Sequence, residues 1–280
     1  MIRIDAHLHL WDLSRGGYGW LGPQHGPLYR SFAAEEAHAE LIAAGIDAAV
    51  LVQADDTGED TEAMLAVAGA NPWIAGVVGW APLDSPEAAA EVIERLAAEP
   101  LACGLRHLVH DDPRDDFLEL PTVRASLQAA ARAGLAFDVP DAWPRHLRAA
   151  VELAAALPEL TVVLDHLGKP PLADTAEELA AWTASLHELG ALPNTAAKAS
   201  GLRLPGVSYT PNALRRAWET ALEAFGPERL MLGSDWPVST LGGTYCETLD
   251  VLDALVAELS PDEQTWLRGR CATETYGLRR

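Results

Sequence analysis

Two histidines separated by one residue, His7 and His9, lie close to the start of the chain and are the first candidates for chemistry. The residues before them, Ile2-Arg3-Ile4-Asp5-Ala6, are typical of a short strand. Side chains alternate between the two faces of a strand, so His7 and His9 would share one face while Leu8 points to the other. Two imidazoles side by side can bind a metal ion or polarise a carbonyl group. The alternative is a pair of surface histidines without a function.

A third histidine, His166, ends an apolar segment that begins at Thr161. A histidine in this position would reach the open end of a sheet, although it could equally be a core histidine bonded to the backbone. Asp165 is predicted to face away from His166 and to be structural, because neighbouring strand residues point in opposite directions. Lys169 lies in the loop that follows, where it could bind a ligand or hold the loop.

Asp235, in the segment Gly233-Ser234-Asp235-Trp236-Pro237, is the candidate general base. A carboxylate near imidazoles and partly shielded from water by Trp236 can take a proton from a water molecule. The alternative is an aspartate that caps the next helix. Gly233 would share a face with Asp235 and leave space beneath a ligand.

Other residues at strand ends are candidates for ligand binding. Arg106 and His107 are neighbours, so only one of them should point into a site, and the planar guanidinium of Arg106 suits an oxygen-rich or anionic ligand. His110, in the loop that follows, is a weaker candidate. Trp11 and Trp236 lie just past strand ends, where they would form an apolar wall or serve only for packing.

Lysine use is unusually selective. Of the 20 basic residues only Lys169 and Lys198 are lysines. A lysine supplies a compact point charge that arginine cannot replace. We therefore predict that Lys198, at the end of its strand, contacts a substrate or transition state, with chance as the alternative explanation for two residues.

These candidates require elements that bring strand ends together. Strands are predicted at Ile2–His7, Ala48–Gln53, Ala75–Trp80, Ala102–Leu108, Leu135–Pro140, Thr161–Leu167, Thr195–Leu202 and Arg229–Trp236. Helices are predicted at 36–44, from Pro86 with Ser85 as the cap, and at 123–133, 144–156, 174–190, 211–225 and 244–258.

The alternation of these elements indicates parallel βαβ units, and eight units predict a (β/α)8 TIM barrel in one domain over residues 1–280. A doubly wound sheet is the alternative, but its first strand would usually be followed by a glycine-rich loop, where this chain has His7-Leu8-His9. In a barrel, active-site residues lie at the carboxyl ends of the strands.

Composition excludes several classes of protein. The net charge of −21 argues against a nucleic-acid partner, which would require a basic patch. No run of 18 apolar residues and no signal-peptide pattern is visible, and the three cysteines are scattered. The sequence predicts a soluble, cytoplasmic protein without a membrane partner, and it leaves the oligomeric state open.

Four motifs together resemble the amidohydrolase superfamily, and more narrowly its lactonase branch of fuconolactonase-like and pyrone-dicarboxylate lactonase-like enzymes. They span nearly the whole chain in the expected order: His7-Leu8-His9-Leu10-Trp11, Asp165-His166-Leu167-Gly168-Lys169-Pro170, Lys198-Ala199-Ser200-Gly201 and Gly233-Ser234-Asp235-Trp236-Pro237.

The resemblance implies a hydrolase that opens a cyclic ester, most simply a sugar-acid lactone. Asp235 would deprotonate a water molecule and later return the proton to the leaving alkoxide. His7, His9 and His166, with or without a divalent metal, would polarise the carbonyl and hold the oxyanion. Further residues would bind the substrate: Arg106, His107, Lys198, Lys169, Trp11 and Trp236.

The metal ligands implied by the resemblance are few. Binuclear relatives use a modified lysine at the end of strand four, where this chain has Arg106-His107, and mononuclear deaminases use a histidine at the end of strand five, where it has Asp138. This leaves His7, His9 and Asp235, while catalytic zinc usually has three firm protein ligands. We expect one divalent metal, zinc or manganese, that is weakly bound or dispensable.

Two other functions stay open from the sequence. A metal-dependent decarboxylase of the same superfamily would share the histidines and the last aspartate, but it would need a firmly held metal. A non-catalytic barrel that binds a sugar acid would be expected to lack the base, and Asp235 is present.

Overall fold

Eight parallel strands form the centre of the protein, as seen in a computed structural model that describes residues 2–173, 175–204 and 206–278. The strands pair in chain order. They are β1 (Ile4–Leu8), β2 (Ala48–Val52), β3 (Ile74–Gly79), β4 (Ala102–Arg106), β5 (Ala136–Val139), β6 (Val162–Leu164), β7 (Thr195–Ala199) and β8 (Leu230–Leu232).

The sheet closes on itself between its first and last strands. Leu8 forms a parallel bridge with Trp236, and the His9 amide donates to the Trp236 carbonyl at 2.8 Å. The Asp235 amide donates to the carbonyl of His7 at 2.9 Å. The predicted (β/α)8 barrel is therefore confirmed, and its closure joins the two segments that carry the first histidines and the candidate base.

Helices surround the barrel. They are α1 (Ala34–Ala44), α2 (Gly58–Ala70), α3 (Pro86–Ala97), α4 (Pro121–Arg132), α5 (Leu147–Ala156), α6 (Ala176–Gly190), α7 (Pro211–Phe225), α8 (Tyr245–Val256), and the short α9 (Pro261–Thr265) and α10 (Cys271–Thr275). No helix among the described residues is long and apolar enough to cross a membrane.

Most predicted helices are found within a few residues of their expected bounds. The prediction 144–156 was wrong at its start, because the amides of His146 and Leu147 both donate to the Ala142 carbonyl in a turn and α5 begins only at Leu147. The predicted start at 174 lies outside the described residues. Ser85 precedes α3 as expected, but its hydroxyl makes no capping hydrogen bond.

Strands β6, β7 and β8 end earlier than predicted. His166, Gly201 and Asp235 have φ angles of 57°, 57° and 58°, which take the chain out of the extended conformation. Side chains past these points no longer alternate between two faces. His166 and Asp235 therefore lie in tight turns just beyond β6 and β8.

Candidate active site

His7 and His9 point to the same side of β1, and their Nε2 atoms lie 3.1 Å apart. His9 Nδ1 lies 2.7 Å from the Val52 carbonyl oxygen, which can only accept a hydrogen bond, so Nδ1 carries a proton and Nε2 faces the site. Burial lowers the pKa of His7 well below its ordinary value, against the attraction of Asp165. Both rings are buried.

Asp235 brings a carboxylate to this pair of rings. Its Oδ1 lies 3.3 Å from His9 Nε2 and 3.8 Å from His7 Nε2. Burial by itself would raise the pKa of Asp235, but His166 and the contact with His9 outweigh it and hold the pKa below its usual range. Asp235 is thus ionised near neutral pH and can accept a proton.

His166, in the turn after β6, has its Nε2 4.0 Å from Asp235 Oδ1. Its Nδ1 lies 2.9 Å from the hydroxyl oxygen of Ser200. Burial lowers the pKa of His166 to about 4, so the ring is neutral near pH 7. Gly201 makes room for this ring, because a Cβ there would lie 2.3 Å from His166 Nδ1.

The prediction that Asp165 faces away from the site was wrong. The chain turns at His166, and both side chains point inward. Asp165 Oδ1 lies 3.2 Å from His7 Nδ1, and its Oδ2 accepts from Arg106 Nη1 at 3.2 Å. Burial would raise the pKa of Asp165, but Lys198 and His7 hold it well below its usual range.

Lys198 lies beneath the histidines rather than beside a ligand. It is completely buried, and its Nζ lies 2.6 Å from Asp138 Oδ2, 3.0 Å from Asp165 Oδ1 and 3.2 Å from His7 Nδ1. Burial raises the pKa of Asp138 to about 6 despite this contact. Lys198 therefore supports His7 from below and does not line the cleft.

An open cleft of about 160 Å³ lies above these groups. Of the predicted ligand-binding residues, Arg106, Lys169 and Trp11 line it, together with His110. The Arg106 guanidinium already donates to the Gln53 carbonyl at 2.7 Å and contacts Asp165, so little of it is free for a ligand.

Besides Lys198, two more of the predicted ligand-binding residues lie outside the cleft lining. His107 turns away from the barrel, contacts Asp112 and Asp56 at 3.1 and 3.2 Å, and stacks on Phe117. Trp236 is buried and packs edge-on against Phe32. As expected for adjacent residues, only Arg106 of the Arg106-His107 pair points inward.

Gly233 also has a different role from the expected one. A Cβ at this position would lie 2.7 Å from the Cβ of His7, so the missing side chain makes room for His7 and not for a ligand.

Sequence reasoning missed several residues of the site. Asp5 accepts from the amides of His7 and Ser234 at 3.1 and 2.9 Å and so joins β1 to the segment after β8. Asp141, after β5, lines the cleft. The only available signal was their position before or after a strand, which many structural residues share.

The donor set fits a divalent metal ion. His7, His166 and Asp235 each offer a ligand atom within 4.8 Å of the others. His9 Nε2 adds a fourth donor, 3.1 Å from His7 Nε2 and 3.3 Å from Asp235 Oδ1. Ligands of a tetrahedral zinc ion with bonds of ~2.0–2.1 Å lie ~3.3 Å apart. The separations of His9 Nε2 from His7 and Asp235 are close to this value, whereas His166 Nε2 lies farther away, 4.0 Å from Asp235 Oδ1.

Residues 4–278 match the amidohydrolase family, so this chain belongs to that family. It is 38% identical over 246 residues to an L-fucono-1,5-lactonase of Burkholderia ambifaria, covering 87% of this chain and 83% of the relative. It is 34% identical over 298 residues to an L-fucono-1,5-lactonase of Burkholderia multivorans, covering 99% and 96%. The resemblance inferred from the four motifs is thereby confirmed.

A solved structure of similar sequence identity has the same fold. An amidohydrolase from Burkholderia multivorans, crystallised with bound zinc, superposes with a TM-score of 0.89 and 32% identity over all of both chains.

Proposed function

We propose that this protein is a lactonase that hydrolyses a sugar-acid lactone, with L-fucono-1,5-lactone or a closely related aldonolactone as the substrate. The observation that carries the proposal is the ionised Asp235 carboxylate, set among His7, His9 and His166 at the floor of an open cleft. The two lactonase relatives support the substrate class. They give no support to a decarboxylase or to a binding protein without activity.

Asp235 acts as the base in this reaction. Its carboxylate accepts a proton from the attacking water, and the oxygen forms a bond to the lactone carbonyl carbon. When the ring C–O bond breaks, the same proton passes to the leaving alkoxide. The low pKa of Asp235 makes it a weak base, so the carbonyl must be strongly polarised for attack to be fast.

His166 stabilises the negative charge that develops on the carbonyl oxygen. Carboxylate oxygens of Asp141 and Asp235 lie 3.9 and 4.0 Å from Nε2 and favour a proton on that nitrogen, in which case Nδ1 accepts from the Ser200 hydroxyl. A donor held in place before the reaction loses no energy in reorganising, which makes it effective for an oxyanion.

His7, His9 and Asp235 would hold the divalent metal, zinc or manganese. When bound, the cation would polarise the lactone carbonyl and offset developing negative charge. Two protein cations lie close to the ligand His7, with Lys198 Nζ 3.2 Å from Nδ1 and Arg106 Nη1 3.4 Å from Nε2. Asp165, 3.2 Å from His7 Nδ1, offsets part of their repulsion, and the remainder would weaken the binding of a further cation.

The test is a proton-release assay on a panel of aldonolactones that includes L-fucono-1,5-lactone, with protein as purified, after chelation, and after addition of zinc or manganese. Hydrolysis of an aldonolactone supports the proposal. Activity that survives chelation makes the metal dispensable, and activity lost and then restored by metal makes it necessary. Silence across the panel, or release of carbon dioxide from an aromatic acid, would overturn the proposal.

A further inference from the structure

Asp141 is an unusual carboxylate on the wall of the cleft. It lies two residues beyond the end of β5 and has a φ of 44°, a conformation that is uncommon outside glycine but tolerated by aspartate. Its Oδ1 lies 3.8 Å from Lys169 Nζ and 3.9 Å from His166 Nε2. The side chain is 31% exposed and lines the same space as Asp235.

Asp141 also lacks hydrogen-bond donors. Among the described residues no group donates to either of its oxygens, and Oδ1 is enclosed. The nearby carboxylates each accept at least one hydrogen bond, since Oδ2 of Asp165 accepts from Arg106 and Asp138 accepts from Lys198 and Tyr276. The side chain as a whole is still 31% exposed in the cleft, so a ligand hydroxyl can reach the carboxylate and supply the missing donor.

Lys169 places a hydrogen-bond donor beside the Asp141 carboxylate. Its Nζ donates to the Gly201 carbonyl at 2.8 Å, which fixes the ammonium group beside Asp141 while leaving it other protons to donate. An acceptor and a donor about 4 Å apart match two neighbouring hydroxyls of a sugar ring, one of which donates while the other accepts.

We propose that Asp141 determines substrate specificity by accepting a hydrogen bond from a ring hydroxyl of the lactone, with Lys169 binding the neighbouring hydroxyl. This inference rests on the proposed function. The opposite charges of Asp141 and Lys169 cancel, and Asp111 adds a negative charge at the rim of the cleft. The site therefore selects a neutral polyhydroxylated lactone against one that carries a carboxylate.

The test compares L-fucono-1,5-lactone with δ-valerolactone, a six-membered lactone without hydroxyls. Asp141→Gly removes the carboxylate and keeps the backbone unstrained, because glycine adopts positive φ freely. Asp141→Asn removes the charge and keeps one oxygen that can accept a hydrogen bond. We expect Asp141→Gly to lower kcat/KM for the sugar lactone about 10- to 100-fold more than for δ-valerolactone, as for loss of a hydrogen bond to a charged group. Asp141→Asn should lie between Asp141→Gly and the wild type.

The matched control is Asp116→Asn, which removes one negative charge at an exposed position outside the cleft and should leave the ratio of the two activities unchanged. Equal losses on both lactones would overturn the inference, because they would mean that Asp141 only positions His166. This failure differs from failure of the proposed function, in which the wild-type protein hydrolyses no aldonolactone.

Discussion

At the scale of single residues, the site holds two titratable groups in opposite states. Burial keeps His166 neutral by lowering its pKa to about 4, while neighbouring groups keep Asp235 ionised against the cost of its burial. When local environments push the pKa values of two groups apart, one group can act as the base and the other as the hydrogen-bond donor. In the proposed reaction Asp235 receives a proton, and His166 offers one to the oxyanion.

Replacing His166 should slow the chemical step. We expect His166→Ala to lower kcat on L-fucono-1,5-lactone on the order of 10²-fold or more, as for removal of other oxyanion donors. Ser200→Ala is the control, since it removes only the partner of Nδ1 and should cost much less. Steady-state kinetics measure both, and an unchanged kcat for His166→Ala would return His166 to a structural role.

At the scale of elements, the turns beyond the strands decide where the chemical groups point. The His166 ring occupies the space that a side chain at position 201 would take, and both residues have positive φ. The geometry of the site therefore depends on residues that do no chemistry.

Gly201→Ala tests this dependence. The added Cβ would lie 2.3 Å from His166 Nδ1, so the ring must move, and we expect kcat to fall at least about tenfold. Gly134→Ala is a matched control, because Gly134 also has positive φ but has open space around it. Both variants should lose about 1 kcal/mol of stability from backbone strain, measured by urea unfolding. A fully active Gly201→Ala would contradict this account.

The sequence predicted the elements better than the turns between them. Apolar runs separated by helical segments mark the strands. The bounds of the helices follow from their capping residues and apolar periodicity, as for Pro211–Phe225. Periodicity holds only while a strand continues, so it placed Asp165 on the wrong side once the chain turned at His166. Asp141 could not be recognised, because an aspartate after a strand is common in loops of every kind.

At the scale of the whole molecule, a buried ion network connects the floor of the active site to the end of the chain. Lys198 contacts His7 above and Asp138 beside it, and the Tyr276 hydroxyl donates to both Asp138 oxygens at 2.9 and 2.8 Å. Sequence alone could not pair Lys198 with Asp138, because their 60-residue separation carries no local signal.

Breaking this network should destabilise the barrel. We expect Lys198→Met to lower the free energy of unfolding by about 3–5 kcal/mol, because Asp138 and Asp165 lose their buried partner. The double variant Asp138→Asn/Lys198→Met should be more stable than Lys198→Met. Arg148→Met, which removes an exposed ion pair with Glu152, should cost far less. Urea denaturation measures all three, and a double variant less stable than Lys198→Met would contradict the pairing of Lys198 with Asp138.

The central claim is that Asp235 serves as the base of a sugar lactonase, and the most direct measurement is proton release from L-fucono-1,5-lactone by the wild-type protein and by Asp235→Asn. The account predicts rapid hydrolysis by the wild type and a kcat lower on the order of 10³-fold or more in the variant, which removes the base and almost no volume. Unfolding curves that coincide within about 1 kcal/mol would show that the fold is kept. A variant that retains a tenth of the wild-type kcat would contradict the assignment of Asp235, and a wild-type protein that leaves the lactone intact would contradict the function.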